Sequence, residues 1–284
     1  MTTQEFGGSW TQQKLNIFTD YLNAYLTVLK NQKFKKIYID AFAGTGKITT
    51  KNGQEFDGSA RCALTAGKKF DFYYFVENDS AKATELQNMI DNEFSSIKSI
   101  TRVYCDDANE RVTQIIHNIE WKYNRALLFL DPYATQVNWT TLETIAKTHS
   151  IDVWYLFPFS AMERMLPNSG EYKAYEDCLN RLLGDSSWQT EFYKENPQLS
   201  FFDSLEDSND FYESNRRIKD AKPEQVKSYI IRRLKTIFPC VSDKPKFLKN
   251  NRNSRLFLLC FAISNESPKA QKIALSIANH ILNR

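Results

Sequence analysis

The chain has 284 residues, a formal net charge of +3, and 42% hydrophobic and 14% aromatic content. That is enough to form one large domain or two, and the charge is too small to imply a nucleic-acid partner by itself. No secretory signal and no bilayer-length apolar run is read, and the five cysteines are an odd, scattered set; a reducing cytoplasm is therefore expected, without a disulfide framework or a membrane span.

Leu15, Phe18, Leu22, Tyr25, Leu26 and Leu29 recur at helical spacing. They predict an amphipathic N-terminal helix, with Ser9 as its cap, that packs on a sheet or covers a crevice. Trp10 and Lys14 near its start are candidates for ligand contact, weighed against core packing for Trp10 and solvent exposure for Lys14.

Ile37-Tyr38-Ile39 is a β-branched and aromatic run ending on Asp40, followed by Ala41-Phe42-Ala43-Gly44-Thr45-Gly46. A buried parallel strand that ends in a Gly-rich turn lets the backbone approach a ligand with no Cβ in the way. A phosphate-cradling P-loop needs Gly-x-x-x-x-Gly-Lys-Ser/Thr. Gly46-Lys47 is present, but Ala41 stands at the first Gly and Ile48 at the Mg²⁺-ligating hydroxyl, which excludes ATP hydrolysis here. A dinucleotide fingerprint needs a third Gly, and that position is Thr49. An acid ahead of the glycines instead suits a cationic, amine-bearing ligand, in the pattern Asp-x-Phe-x-Gly-x-Gly. The pattern resembles the first motif of the Rossmann-like S-adenosylmethionine-dependent methyltransferases, acid-x-small-x-Gly-x-Gly, with Phe42 in place of its first Gly. The resemblance implies a donor held by Asp40, Phe42, Ala43, Gly44 and Gly46. A Gly-rich turn with no ligand is the plainer alternative.

Phe72 to Val76 forms a second apolar strand ending in Glu77, and Asn78-Asp79-Ser80 starts a helix patterned by Ala83, Leu86, Met89 and Ile90. A carboxylate at this strand end can accept both ribose hydroxyls of a nucleoside. Glu77 lies 31 residues after Gly46, the excess being taken up by a polar excursion from Thr49 to Gly58 that could form a lid. A third strand, Ile100 to Cys105, runs into Asp106-Asp107-Ala108-Asn109. In the methyltransferase reading one of these two acids accepts from the adenine amine and the other caps the next helix.

The fourth strand, Ala126 to Leu130, closes on Asp131-Pro132-Tyr133-Ala134. In an open parallel sheet this position faces the crevice where the strand order reverses. Methyl transfer depends on holding the acceptor in line, so positioning supplies most of the barrier reduction. Asp131 would accept from an exocyclic amine, Tyr133 would offer an aromatic face, and Pro132 would fix the backbone. Asp-Pro-Tyr-Ala is similar to the Asp-Pro-Phe-Gly of tRNA guanine-N2 methyltransferases and to the Asp-Pro-Pro-Tyr of amino methyltransferases acting on DNA and RNA, though without the second proline.

A fifth strand spans Ile151 to Phe157. Residues 160–238 then read as a mostly helical insertion, with Met162, Met165 and Leu166 early and Val226, Tyr229, Ile230, Leu234 and Ile237 late. The last strand is Arg255 to Ile263, with an antiparallel neighbour near Pro239 to Leu248. The fold expected is α/β: a Rossmann-like class I methyltransferase fold with a mostly parallel seven-stranded sheet, an N-terminal helix, and the insertion after the fifth strand, in one domain over residues 1–284.

From Glu171 to Glu213 there are eleven acids and three bases, whereas from Arg216 to Arg255 thirteen Lys and Arg face three acids. This asymmetry suggests a basic face at 216–255 for phosphates, assisted by Tyr229, Phe238 and Phe247. Local balancing by the acidic stretch, or a protein docking surface, are the alternatives. Cys62, Cys105, Cys178, Cys240 and Cys260 contain no Cys-x-x-Cys pair, and the three histidines are isolated, so no metal site is expected.

Over residues 9–265 the chain resembles the three-Cys-motif partner (TcmP) family. The residues that carry this are Trp10-Thr11 to Lys14, Tyr38 to Gly44, Asp57-Gly58-Ser59-Ala60, Leu130 to Tyr133 and Ile151 to Pro158. The resemblance implies a methyltransferase-like protein that works beside a partner bearing three cysteines. Two functions follow as expectations: nitrogen methylation of a nucleobase with S-adenosylmethionine, or a non-catalytic, donor-sensing subunit.

Overall fold

The computed structural model describes residues 9–49, 55–195 and 217–283. Helix α1 (Ser9–Val28) leads into β1 (Lys35–Asp40). A hairpin of β2 (Lys47–Thr49) and β3 (Glu55–Asp57) precedes α2 (Ser59–Thr65), then β4 (Phe72–Val76), α3 (Ser80–Glu93), β5 (Thr101–Tyr104) and α4 (Ala108–His117). Next come β6 (Asn124–Leu130), α5 (Trp139–Ala146), β7 (Ile151–Phe157) and α6 (Phe159–Arg164). The chain continues through α7 (Glu176–Leu183), α8 (Trp188–Phe192), β8 (Tyr193–Glu195), β9 (Arg217–Lys219) and α9 (Pro223–Lys235). It ends with β10 (Cys240–Val241), β11 (Lys246–Lys249), β12 (Arg255–Ile263) and α10 (Pro268–Leu282).

Eight strands form the central sheet. Parallel strands run β5-β4-β1-β6-β7, the doubly wound order in which the first strand lies beside the fourth and the sequence of strands reverses between them. β12 is antiparallel to β7, and β10 and β11 both pair antiparallel with the far edge of β12. This is the expected Rossmann-like class I methyltransferase fold. Its sheet has eight strands rather than seven because the position beyond β12 is shared between β10 and β11.

Strand alternation sends side chains to two cores. Ile37, Ile39, Leu128, Val153 and Tyr155 face α4, α5 and the inserted helices. Tyr38, Leu127, Phe129, Trp154 and Phe261 face the other layer, built from α1, α2, α3 and α10. α1 reaches that layer with Phe18, Tyr21, Leu22 and Leu26, all buried, as its helical spacing anticipates. Burial of apolar surface on both faces explains why the central strands read as continuous hydrophobic runs.

Some elements depart from expectation. The Gly-rich turn after β1 leads not into a helix but into the β2–β3 hairpin, whose antiparallel pairing includes Ile48 with Phe56. The tip of the proposed lid, residues 50–54, lies outside the described residues, as does 196–216 of the insertion. The insertion also contains an antiparallel pair, β8 with β9, joining its helices. The closing helix α10 packs against α1.

Candidate active site

Parallel register brings the ends of neighbouring strands together. Asp40, the last residue of β1, lies between Phe75 of β4 and Phe129 of β6, so Glu77 and Asp131 follow just beyond it on either side. Beyond these ends lies a cavity of about 370 Å³, within the ~300–1,000 Å³ range of small-molecule sites. It is bounded by Ala41 and Phe42 after β1, Glu77 and Asn78 after β4, Asp106 to Asn109 after β5, Ala134 to Gln136 and Asn138 after β6, and Arg181 of α7.

The turn after β1 is held by its neighbours. Ala41 N–H donates to Phe129 O (3.1 Å), and Ala43 N–H donates to Val76 O (2.9 Å). Gly44 sits at φ +59°, and a Cβ there would meet nothing within 4 Å. The turn is therefore open on this side, although Gly44 itself is not among the residues that line the cavity. Gly46 serves a different purpose: at φ +79°, a Cβ would lie 2.8 Å from the Met89 methyl of α3. Its lack of a side chain permits the hairpin to pack on α3. Neither Gly46 nor Ala43, which is buried, borders the cavity.

Asp40 is also displaced from its expected role. It is 0% exposed and accepts from Tyr38 Oη (3.0 Å) and Phe42 N–H (3.3 Å), with Ser59 of α2 as a further side-chain partner. Burial raises its carboxyl from the ordinary 3.8 to about 6, against the opposing pull of these hydrogen bonds. Its contacts are internal, so it shapes the turn and anchors α2 rather than offering a carboxylate to a cationic ligand.

Glu77 is placed on the cavity wall with 9% exposure. Oε2 accepts from Gly44 N–H and Oε1 from Asp79 N–H, both at 2.9 Å. A carboxylate has about four lone-pair sites, so capacity remains for two hydroxyls. Asp106 and Asp107 have different partners. Asp107 caps α4, accepting from Asn109 N–H (2.8 Å) and Glu110 N–H (3.1 Å). Asp106 pairs with Arg111 at 2.5 Å, and that guanidinium lies 4.4 Å over the Tyr104 ring. Both acids border the cavity, and each spends one carboxylate oxygen on these bonds, Asp107 its Oδ1 and Asp106 its Oδ2.

Asp131, just beyond β6, is not among the residues that line the cavity; its Oδ2 forms an ion pair with Lys14 of α1. Lys14 is not solvent-exposed as weighed from the sequence; it is 5% exposed. Pro132 is buried. Tyr133 does not line the cavity; it is 63% exposed, and its N–H is held by Gln136 Oε1 at 3.0 Å.

Several cavity residues escape a sequence reading. Asn109 ties α4 to the loop after β6: it donates to Gln136 O (2.9 Å) and accepts from Asn138 N–H and Thr141 Oγ1 (2.9 Å each). Its position two residues after the Asp pair was the available signal. Arg181 comes from the insertion, and nothing in sequence links it to strand ends far upstream.

The contrasting charged stretches meet in space. Arg232 pairs with Glu191 (2.8 Å), Arg233 with Asp185 (2.9 Å), Lys194 with Asp220 (2.5 Å) and Lys235 with Asp243 (2.5 Å). Lys227 and Arg255 both engage Glu224. Part of the 216–255 basic charge is thus paired locally, at Lys227, Arg232, Arg233, Lys235 and Arg255. The acids Asp203, Glu206, Asp207, Asp210 and Glu213, and the base Arg216, lie outside the described residues. No helix among the described residues is long and apolar enough to cross a membrane.

No protein-family model matches the chain, and no curated protein matches it either. Solved structures are similar in outline. A Legionella pneumophila protein of the DUF519 family model is 12% identical over 94% of this chain and 91% of its own, with a TM-score of 0.47. Spermidine synthase from Thermotoga maritima is 10% identical over 93% of this chain and 63% of its own, TM-score 0.41. The methyltransferase domain of a bacterial Hen1 protein is 11% identical over 87% of this chain and 100% of its own, TM-score 0.35. Likeness of this degree assigns no residue a role; the fold rests on the strand order and register described above.

Proposed function

We propose that the chain is an S-adenosylmethionine-dependent methyltransferase acting on a nitrogen of a nucleobase, beside a partner that bears three cysteines. The observation that supports the donor most is the placement of Glu77 and Asp106 on one cavity at the carboxyl ends of β4 and β5, with Ala41 and Phe42 of the turn after β1 on the same wall. Glu77 would hold the ribose hydroxyls, Asp106 the adenine amine, and the turn at Ala41 and Phe42 the remainder. Such a donor, when bound, supplies an electrophilic methyl carbon on a sulfonium that departs as a neutral thioether.

On the acceptor side, Asp131 would accept a hydrogen bond from the amine, and the exposed ring of Tyr133 would stack on the base. Stacking is tolerant of sequence and suits a single-stranded or looped-out nucleotide. The basic segment 216–255 would add phosphate contacts through bases outside its local ion pairs, such as Lys244, Lys246 and Lys249. The partner rests on the resemblance to the three-Cys-motif partner family alone.

Two measurements test this reading. Calorimetric titration with S-adenosylmethionine and its demethylated product is expected to give saturable heat; none from the wild-type chain removes the donor. Labelled donor incubated with cellular RNA, DNA and small metabolites, with and without the partner, is expected to label a nucleic-acid pool. Binding without transfer marks the donor-sensing alternative.

A further inference from the structure

We propose that Lys14 is the positioning residue of the acceptor side: its ammonium fixes the Asp131 carboxylate just beyond the end of β6, where that carboxylate would receive the acceptor amine. This rests on the assignment of Asp131 to the acceptor.

The geometry is specific. Asp131 follows β6 directly and sits at the reversal of strand order, while Lys14 reaches it from the N-terminal helix across 117 residues of sequence. The ion pair uses Oδ2, and a carboxylate so held keeps a second oxygen to receive an N–H. Lys14 itself is restrained: its ammonium lies 5.4 Å from the Trp10 ring centroid, and that ring packs 5.1 Å from Phe257 of β12. A long flexible side chain is thereby held in one conformation before any ligand arrives.

Docking of α1 does not need this pair. Ile17, Phe18, Tyr21, Leu22 and Leu26 are buried in the sheet-facing layer, and the desolvation of two charges offsets most of their attraction, so an apolar pair of equal volume would hold the helix as well or better. A charge pair kept at this strand end fits a group that must remain ionised and aimed. The ligand class is an amine whose N–H can be accepted by a carboxylate, such as the exocyclic amine of a nucleobase.

The test compares wild type, Lys14→Met, Lys14→Arg and the exchanged pair Lys14→Asp with Asp131→Lys. Donor affinity is read by calorimetry with S-adenosylmethionine, folding by thermal melts, and transfer by labelled methyl incorporation into cellular RNA, DNA and the small-metabolite pool. Lys14→Met is expected to bind donor within about threefold of wild type, since Lys14 lies off the donor cavity, and to lose roughly 100-fold in transfer, the scale of a misplaced reacting group. Lys14→Arg is expected to restore part of that loss. The exchanged pair is expected to melt near wild type yet transfer no label, because the carboxylate has moved to the helix. Transfer at the wild-type rate by Lys14→Met or by the exchanged pair, with donor binding intact, overturns the proposal alone. Absence of donor heat from wild type overturns the cavity assignment as well, and donor binding without label in any pool overturns the acceptor assignment on which Lys14 depends.

Discussion

At the scale of single residues, the site divides acids that face the cavity from acids that build it. Glu77 is the one through which ligand affinity should pass. A hydrogen bond to a charged group is worth about 1.5–3 kcal/mol, so Glu77→Ala should weaken S-adenosylmethionine binding by roughly 10- to 100-fold; equal affinity by calorimetry would dismiss Glu77 as a ligand contact. The two glycines should separate in the same way. Gly46→Ala meets both a positive φ and the Met89 side chain and should lose about 2 kcal/mol or more in urea unfolding. Gly44→Ala, with the positive φ but open space at its Cβ, should lose only about 1–2 kcal/mol. Strand-end acids were legible in the sequence because an apolar run that stops on a carboxylate marks the carboxyl edge of a sheet. Which acids face the ligand was not, since that depends on partners distant in sequence: Ser59 for Asp40, Lys14 for Asp131. Asp106 and Asp107 are the milder case, with partners local in sequence: Arg111 for one and the N–H groups of Asn109 and Glu110 for the other.

Among elements, the legible ones announce themselves locally. α3 has its cap at Asp79, accepting from Ala81 and Lys82 N–H, and the buried residues its spacing predicts. β7 and β12 run as read, because a strand covered on both faces needs an unbroken apolar stretch. β8 and β9 were missed since three residues each, far apart in the chain, show no period, and α10 was missed although Pro268 at its start and Ile273, Ile277 and Ile281 along one face signal it. The join between α7 and α5 offers an element-scale test. Gly184 ends α7 at φ +91°, and a Cβ there would lie 2.5 Å from the Trp139 ring of α5. Gly184→Ala should therefore destabilise by about 2 kcal/mol or more, seen as a lower urea midpoint, and should disturb the cavity edge that Arg181 provides one turn earlier. A midpoint equal to wild type would show that α7 docks loosely.

For the whole molecule, two buried carboxyls set the response to pH. Asp152, under α1, accepts from Tyr21 Oη at 2.9 Å; burial raises it from 3.8 to about 7, against the pull of Tyr21 and Arg125. With Asp40 at about 6, both bind a proton more tightly folded than unfolded, where an Asp titrates near ~3.9. Their stabilisation is complete below that value and is lost as pH rises through about 6 and 7, at up to ~1.4 kcal/mol per pH unit for each linked proton. Stability should thus fall from pH ~4 to ~7, and Asp152→Asn should flatten the upper part of that slope in urea titrations; an unchanged slope would show that Asp152 is ionised at little cost. Below this window the opposite sign takes over, since hydrogen bonds from Lys98 and Arg61 hold Asp91 and Glu93 under the usual carboxylate range.

The place of β12 in the sheet bears on how the chain reaches this state. β7 ends at Phe157, but the strand that covers its edge begins only at Arg255. At a synthesis rate of about 5–20 residues per second, a nascent chain would carry a finished five-strand half-sheet with a bare apolar flank for roughly 5–20 s before its closing strand emerged. A strand edge left open that long is a template for pairing with another chain. The intervening helices of the insertion leave the ribosome first, so the last core strand must find a slot between elements already made, and ribosome pausing or premature termination before Arg255 would yield aggregates rather than a shorter soluble domain.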